Sequence, residues 1–166
     1  MKPKRLARYY YLKVLRLEGD PRSLALGVAI GLFVGVTPTL PLHTVLILAL
    51  AGLLRGNILA GLLAATAISN PLTFLPQYYF SWRLGSLLLP GRLSWERIEG
   101  LLAGFDSGAG FQENLASLGH LGLDAIAVLL LGGVLLAIPF TLAGYLLSLR
   151  FFIALRKKRQ AKHILD

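Results

Sequence analysis

The chain has 166 residues, of which 55% are hydrophobic and only 15% charged, with a formal net charge of +9 and a mean hydropathy of +0.67. A soluble domain carries about a quarter charged residues, so an ordinary soluble fold is excluded. Cysteine is absent, which rules out disulfides, thiolate metal sites and a lipoprotein anchor.

The charge is concentrated at the two ends. Seven of the 17 basic residues precede Ser23, and six more lie from Arg150 onward. Between them, residues 23–54, 56–82 and 125–149 contain no Lys, Arg, Asp or Glu. A spanning helix needs about 20 predominantly apolar residues. The expected fold is therefore an all-α integral membrane protein, with one membrane domain over residues 1–166. Basic clusters beside apolar spans are the usual cytoplasmic topology signal. Neither end carries a nucleic-acid recognition module, and no nucleic-acid partner is expected. The first apolar run far exceeds the roughly 7–15 residues of a signal-peptide core, so no cleavage is expected.

Residues 4–18 predict an amphipathic surface helix. Leu6, Tyr10, Val14 and Leu17 form one stripe at the helical period. Arg5, Arg8 and Arg16 point away from it and suit lipid headgroups. A solvated helix packed on its own protein is the plainer alternative. Asp20 is a good N-cap, and Pro21 suits the first helical position.

The first broken segment covers residues 21–54. Gly27, Gly31 and Gly35 form a ridge of small residues that lets another helix approach closely, and a homo-oligomer is expected from it. Ser23 to Val36 makes only about 21 Å of helix, short of the roughly 30 Å hydrocarbon core. The segment therefore reads as two half-length helices joined by "TPTLP", with Pro38 and Pro41 at the break. Arg55 and Asn57 follow in a turn, with Arg55 reaching for headgroups. The second broken segment covers residues 58–89 and contains "SNPLTFLPQ" at 69–77. Here Asn70, Pro71 and Pro76 take the part of the first break. Gly61, Ala65 and Ser69 repeat the small-residue spacing, and Pro71 lies 33 positions after Pro38, which suggests an internal duplication.

Residues 92–114 predict an interfacial helix and loop, with Trp95, Ile98, Leu102 and Phe105 on one face. A C-terminal transmembrane block follows at 115–155. Its best span is Ala125–Leu149, kinked near Pro139, and residues 156–166 form a basic tail.

"GDPRSLALGVAIGLFVGVTPTLPLHT", "RGN" at 55–57 and "SNPLT" at 69–73 resemble the bacterial domain-of-unknown-function 2062 family. The likeness covers roughly residues 10 to 155. It implies a small inner-membrane protein and carries no implied activity.

Basic residues at both ends place both termini in the cytoplasm, which requires an even number of crossings of the inner membrane. With three apolar blocks, at least one must return to its own side, and the proline-broken segments suit re-entrant helical hairpins. A break at membrane depth survives only where protein or a watery cavity surrounds it, and paired broken segments point to a transporter's binding site. The expected substrate site comprises Thr37, Pro38, His43, Asn70, Pro71, Thr73, Gln77 and Arg83. Prolines that merely kink ordinary helices are the alternative.

Apart from Arg55 and Arg83, His43 is the only Lys, Arg, His, Asp or Glu inside the first two blocks. Proton handling, ligand contact and a neutral interface imidazole all remain open for it. Arg83 either snorkels or meets an anionic ligand. His120 and Asp124 read as a hydrogen-bonded pair, short of a metal site. There is no catalytic constellation, so neither an enzyme, a cofactor nor a metal is expected. The leading expectation is a transporter-like protein with a polar midplane site for an anionic amphipathic or lipid-phosphate substrate. The alternative is a non-catalytic accessory subunit that binds anionic lipid or an unknown protein partner.

Overall fold

The computed structural model describes residues 13, 17, 19–39, 42–69, 71–96, 98–99 and 122–163. Among them are five helices and no strand: α1 Pro21–Val36, α2 His43–Leu54, α3 Ile58–Ile68, α4 Pro71–Leu88 and α5 Gly122–His163. The predicted surface helix apart from Lys13 and Leu17, the loop after Glu99, Asn70 and His120 lie outside the described residues, as do Arg5, Arg8 and Arg16.

Local chemistry sets the helix ends. Asp20 is extended and its carboxylate accepts from the Arg22 N–H at 3.1 Å, while Pro21 fills the first helical position. α1 stops at Val36 because Thr37 precedes a proline, and that position disfavours helical backbone; Thr37 is extended at φ −75°, ψ 133°. The "RGN" turn divides its work among three residues. Arg55 takes the left-handed conformation at φ 57°, and the Gly56 N–H reaches back to the Ala51 carbonyl at 2.8 Å. Asn57 caps α3 by accepting from the Ala60 N–H at 2.9 Å. This turn is pinned to the start of α1. The Asn57 N–H donates to the Ser23 carbonyl at 2.9 Å, and Ser23 Oγ donates to the Arg55 carbonyl at 3.0 Å. α2 therefore runs back alongside α1.

Two ridges of small residues meet each other. Gly27 lies against Asn57 and Ala60, Gly31 against Gly61 and Ala64, and Gly35 against Ala65 and Ser69, so α1 and α3 run parallel. A methyl group at Gly31 would overlap the Gly61 carbonyl oxygen, and one at Gly27 the Asn57 carbonyl oxygen. All three glycines of the first ridge are buried within the chain. The ridge is thus occupied by α3, and it offers no surface on which to build the expected homo-oligomer.

α5 binds two helices in succession. Its C-terminal half runs antiparallel to α1, with Gly144 at Leu32 and Phe152 in a cluster with Leu17, Leu24 and Ala60. Its N-terminal half takes α4, where Gly85 meets the Val128 backbone and Gly132 meets the Ser81 backbone. The change of partner falls at Gly133, which lies against Pro38 and Thr37. Beyond it Tyr78, Leu93, Ile98, Ala125 and Val128 form a second core, flanked by Trp82 and Trp95.

Ala125–Ala161 within α5 is long and apolar enough to cross a membrane. Ile58–Ile68 together with Thr73–Leu88 passes the same test across a 92° bend. Large apolar side chains stay exposed on α2, α3 and α5, among them Val45, Leu53, Leu59 and Leu147. Contrary to expectation, α4 continues through Pro76; α5 runs on through Pro139. Pro76 therefore does not belong to the second break, because the buried Gln77 and Tyr78 directly after it hold the helix in register.

Candidate functional site

A helix leaves its last four carbonyls without intrahelical partners. At the end of α1 these belong to Phe33, Val34, Gly35 and Val36, and every one receives a side-chain donor. Thr37 donates to the Phe33 carbonyl through both its backbone N–H (3.0 Å) and its hydroxyl (2.7 Å). Thr39 Oγ1 lies 3.4 Å from the Val34 carbonyl. Ser69 Oγ, from the end of α3, reaches the Gly35 carbonyl at 3.3 Å. Gln77 Nε2, from α4, bridges the Gly35 and Val36 carbonyls at 2.9 and 2.6 Å. The α3 end is treated more locally, since Thr73 Oγ1 donates to the Ile68 carbonyl.

His43 ties the two breaks together. Its Nδ1 lies 3.2 Å from Thr39 Oγ1 and its Nε2 lies 3.1 Å from Ser69 Oγ. Each hydroxyl carries one hydrogen, so the arrangement can be counted. If Nε2 bears the proton, it donates to Ser69, Ser69 donates to Gly35, and Thr39 donates to Nδ1. If Nδ1 bears it, Thr39 donates on to the Thr37 or Val34 carbonyl, and Ser69 donates to Nε2. If both nitrogens bear protons, both hydroxyls still have carbonyls to receive their hydrogens. The network is complete in all three states.

The polar atoms fall into two layers. Thr37 and Gln77 are buried, whereas Thr39, His43, Ser69 and Thr73 are half-buried. Gln77 Oε1 and Ser81 Oγ, one helical turn apart on α4, are buried without a hydrogen-bond partner among the described residues. Among the described residues no group of three or more His, Cys, Asp or Glu could hold a metal ion.

A family model described as "Uncharacterized protein conserved in bacteria (DUF2062)" matches residues 4–161. The chain belongs to the DUF2062 family. The match takes in every one of the five helices but for the last two residues of α5, and so both breaks of this DUF2062 protein. No curated protein and no solved structure matches the chain.

Of the expected site residues, Thr37, His43, Thr73 and Gln77 come to the breaks. Pro38 is buried against Gly133, and Pro71 begins α4. Arg83 is exposed. It lies six residues past Gln77, about 120° around the helix from it, so it turns away from the break. Arg55 is exposed at the turn between α2 and α3. Two members of the network were not among the expected site residues, Thr39 and Ser69. The four-residue interval from Thr39 to His43 was the available signal for the first. Ser69 read only as the last small residue of a ridge.

Proposed function

We propose that this protein is a small, multi-pass, non-catalytic protein of the bacterial inner membrane, transporter-like in design, with its polar site where the two breaks meet. The observation that carries this reading is the hydrogen-bonded joining of the breaks through His43, Ser69 and Gln77. Four helix ends from two separate segments converge on it. Broken helices facing one another in this way are how transporters place polar groups at depth.

The contacts support a topology with both termini cytoplasmic. α1 starts beside the basic end of α5, where Asp20 lies 3.5 Å from Arg156. It reaches the level of Gly133, well inside the apolar stretch 125–149, and α2 returns to the starting side at Arg55. Together they fit a re-entrant hairpin. α3 and α4 then fit one crossing, with Tyr79, Trp82 and Trp95 clustered at its far end as an aromatic belt. α5 makes the return crossing. The substrate is an anionic amphiphile, and Arg83 is not its receptor at the break.

A second reading has its own support. All four carbonyls at the end of α1 are satisfied within the chain, which suits an accessory subunit whose breaks are packing devices. Single cysteines at Thr39, His43, Ser69 and Gln77 distinguish the two, since the native chain has none. Labelling of the half-buried positions by a water-soluble maleimide, blocked by a lipid phosphate, is the expected outcome for transport. Complete protection of all four would overturn it in favour of the accessory reading.

A further inference from the structure

We infer that the ion handled at the joined breaks is a proton, taken up on His43 and relayed between Thr39 of the first break and Ser69 of the second. The inference deepens the transport reading and rests on the membrane depth that it gives the breaks.

His43 sits between two hydroxyls from different segments. Nδ1 lies 3.2 Å from Thr39 Oγ1, and Nε2 lies 3.1 Å from Ser69 Oγ. Each hydroxyl also has a carbonyl within reach. For Thr39 these are Thr37 and Val34, at 3.3 and 3.4 Å, and for Ser69 it is Gly35, at 3.3 Å. Either hydroxyl can therefore turn its one hydrogen toward the ring or away from it. All three side chains are half-buried, so the chain of groups is not sealed inside the protein.

The relay follows from those turns. With the ring hydrogen on Nδ1, Ser69 donates to Nε2. A proton that reaches Ser69 Oγ forms a new O–H bond there as the serine's own hydrogen passes to Nε2, giving the imidazolium. Nδ1 then gives its hydrogen to Thr39 Oγ1, and Thr39 releases the hydrogen it already held. One proton has entered at Ser69 and one has left at Thr39, with the ring neutral again and its hydrogen on Nε2.

The surroundings favour passage over capture. α2 packs against α1 and α3. α3 carries no Lys, Arg, Asp or Glu, and the one such residue of α1, Arg22, lies at the end away from the break. On α4, Arg83 is exposed and turned from the break, and Tyr78 belongs to the core beyond it. On α5 the stretch 125–149 has no charge. No carboxylate among these elements holds the imidazolium, and a site that passes an ion must bind it weakly enough to let it go. Histidine chains at membrane depth are a recognised setting for proton relay. A metal cation takes several oxygen ligands. The four carbonyls that end α1 are instead already engaged by Thr37, Thr39, Ser69 and Gln77.

The test uses the full chain in phosphatidylcholine vesicles on a solid-supported membrane, where a sudden pH step drives protons into any site at depth. The wild type should give a transient current on the step, and His43→Gln should reduce it at least tenfold. Thr39→Val with Ser69→Ala keeps the imidazole and removes both hydroxyls, while Gln77 still serves the Gly35 carbonyl. This double variant should slow the transient at least fivefold. Nitrogen-15 labelling of histidine reads the ring itself. The signal missing from His43→Gln should pass from imidazole to imidazolium between about pH 4 and 8 in the folded chain. A wild type without a transient, an undiminished transient in His43→Gln, a double variant as fast as the wild type, or a ring that stays neutral across that range would each overturn the proposal. Cysteine labelling at the breaks is a separate readout. Protection of all four cysteines beside a His43-dependent current removes transport and leaves the proton site, whereas labelling with no current removes the proton and leaves the cavity.

Discussion

Gln77→Leu isolates the capping of α1. In the wild-type chain Gln77 Nε2 is the donor to the Val36 carbonyl and one of two donors to the Gly35 carbonyl, which also has Ser69 Oγ at 3.3 Å. Leucine removes both bonds in one step. Val36 then becomes an orphaned carbonyl, while Gly35 keeps Ser69. An unsatisfied buried acceptor costs about 1–3 kcal/mol. The substitution also removes Oε1, which is itself buried without a partner among the described residues, and so recovers part of that cost. Leucine is close in volume to glutamine, so the cavity contribution is small. The net expectation is a loss of about 1–2 kcal/mol. Gln77→Glu should do more harm, because it aims a second oxygen at two carbonyl oxygens. Thermal unfolding in a fixed detergent, followed through Trp82 and Trp95, provides the measurement. If the Leu and Glu variants both melt with the wild type, side-chain capping is not what stabilises the first break.

Gly31→Ala should destabilise by about 1–3 kcal/mol through overpacking, because its methyl falls on the Gly61 carbonyl. Gly52→Ala meets nothing within 4 Å, so the same unfolding assay should show a gain of up to about 1 kcal/mol from helix propensity alone. Asn57→Ala removes the α3 cap and should cost about 1 kcal/mol, with Asn57→Asp restoring most of it.

Both breaks and the turn between them were legible in the sequence because their causes are local. A residue before proline resists helix, so Thr37-Pro38 ends α1 wherever the rest of the chain lies. Asn57 and Gly56 likewise declare a turn by their own chemistry. What the ridges do was only half legible. Spacing of Gly27, Gly31 and Gly35 predicts close approach but does not name the partner, and the partner proved to be the second ridge of the same chain. Arg83 failed for a reason of phase: it is near Gln77 in sequence but turned away from it on α4. Pro76 failed because a proline inside an apolar helix is a lost hydrogen bond, which neighbouring packing can outweigh. The pairing of Asp20 with Arg156 joins opposite ends of the chain, and no local pattern announces it.

α1 and its cap come from different segments, and this has a consequence for the whole site. The 16 residues of α1 rise about 24 Å, less than the roughly 30 Å hydrocarbon core, so in the proposed re-entrant arrangement its last carbonyls would stop short of the far side. Thr37 and Thr39 are close enough in sequence to reach Phe33 and Val34. Gly35 and Val36 depend on Ser69 and Gln77, more than 30 residues further on. On that proposed arrangement, the first segment holds its end in place only while the second is docked. A cysteine at Val36 tests this, since Val36 is buried in the intact chain and should resist a water-soluble maleimide. Adding Ser69→Ala and Gln77→Leu together removes both donors from the second segment. Those carbonyls must then find water, and labelling should accelerate at least tenfold. An unchanged rate would mean that packing at Gly31 and Gly133 holds α1 in place without the hydrogen bonds, and that the two breaks are independent.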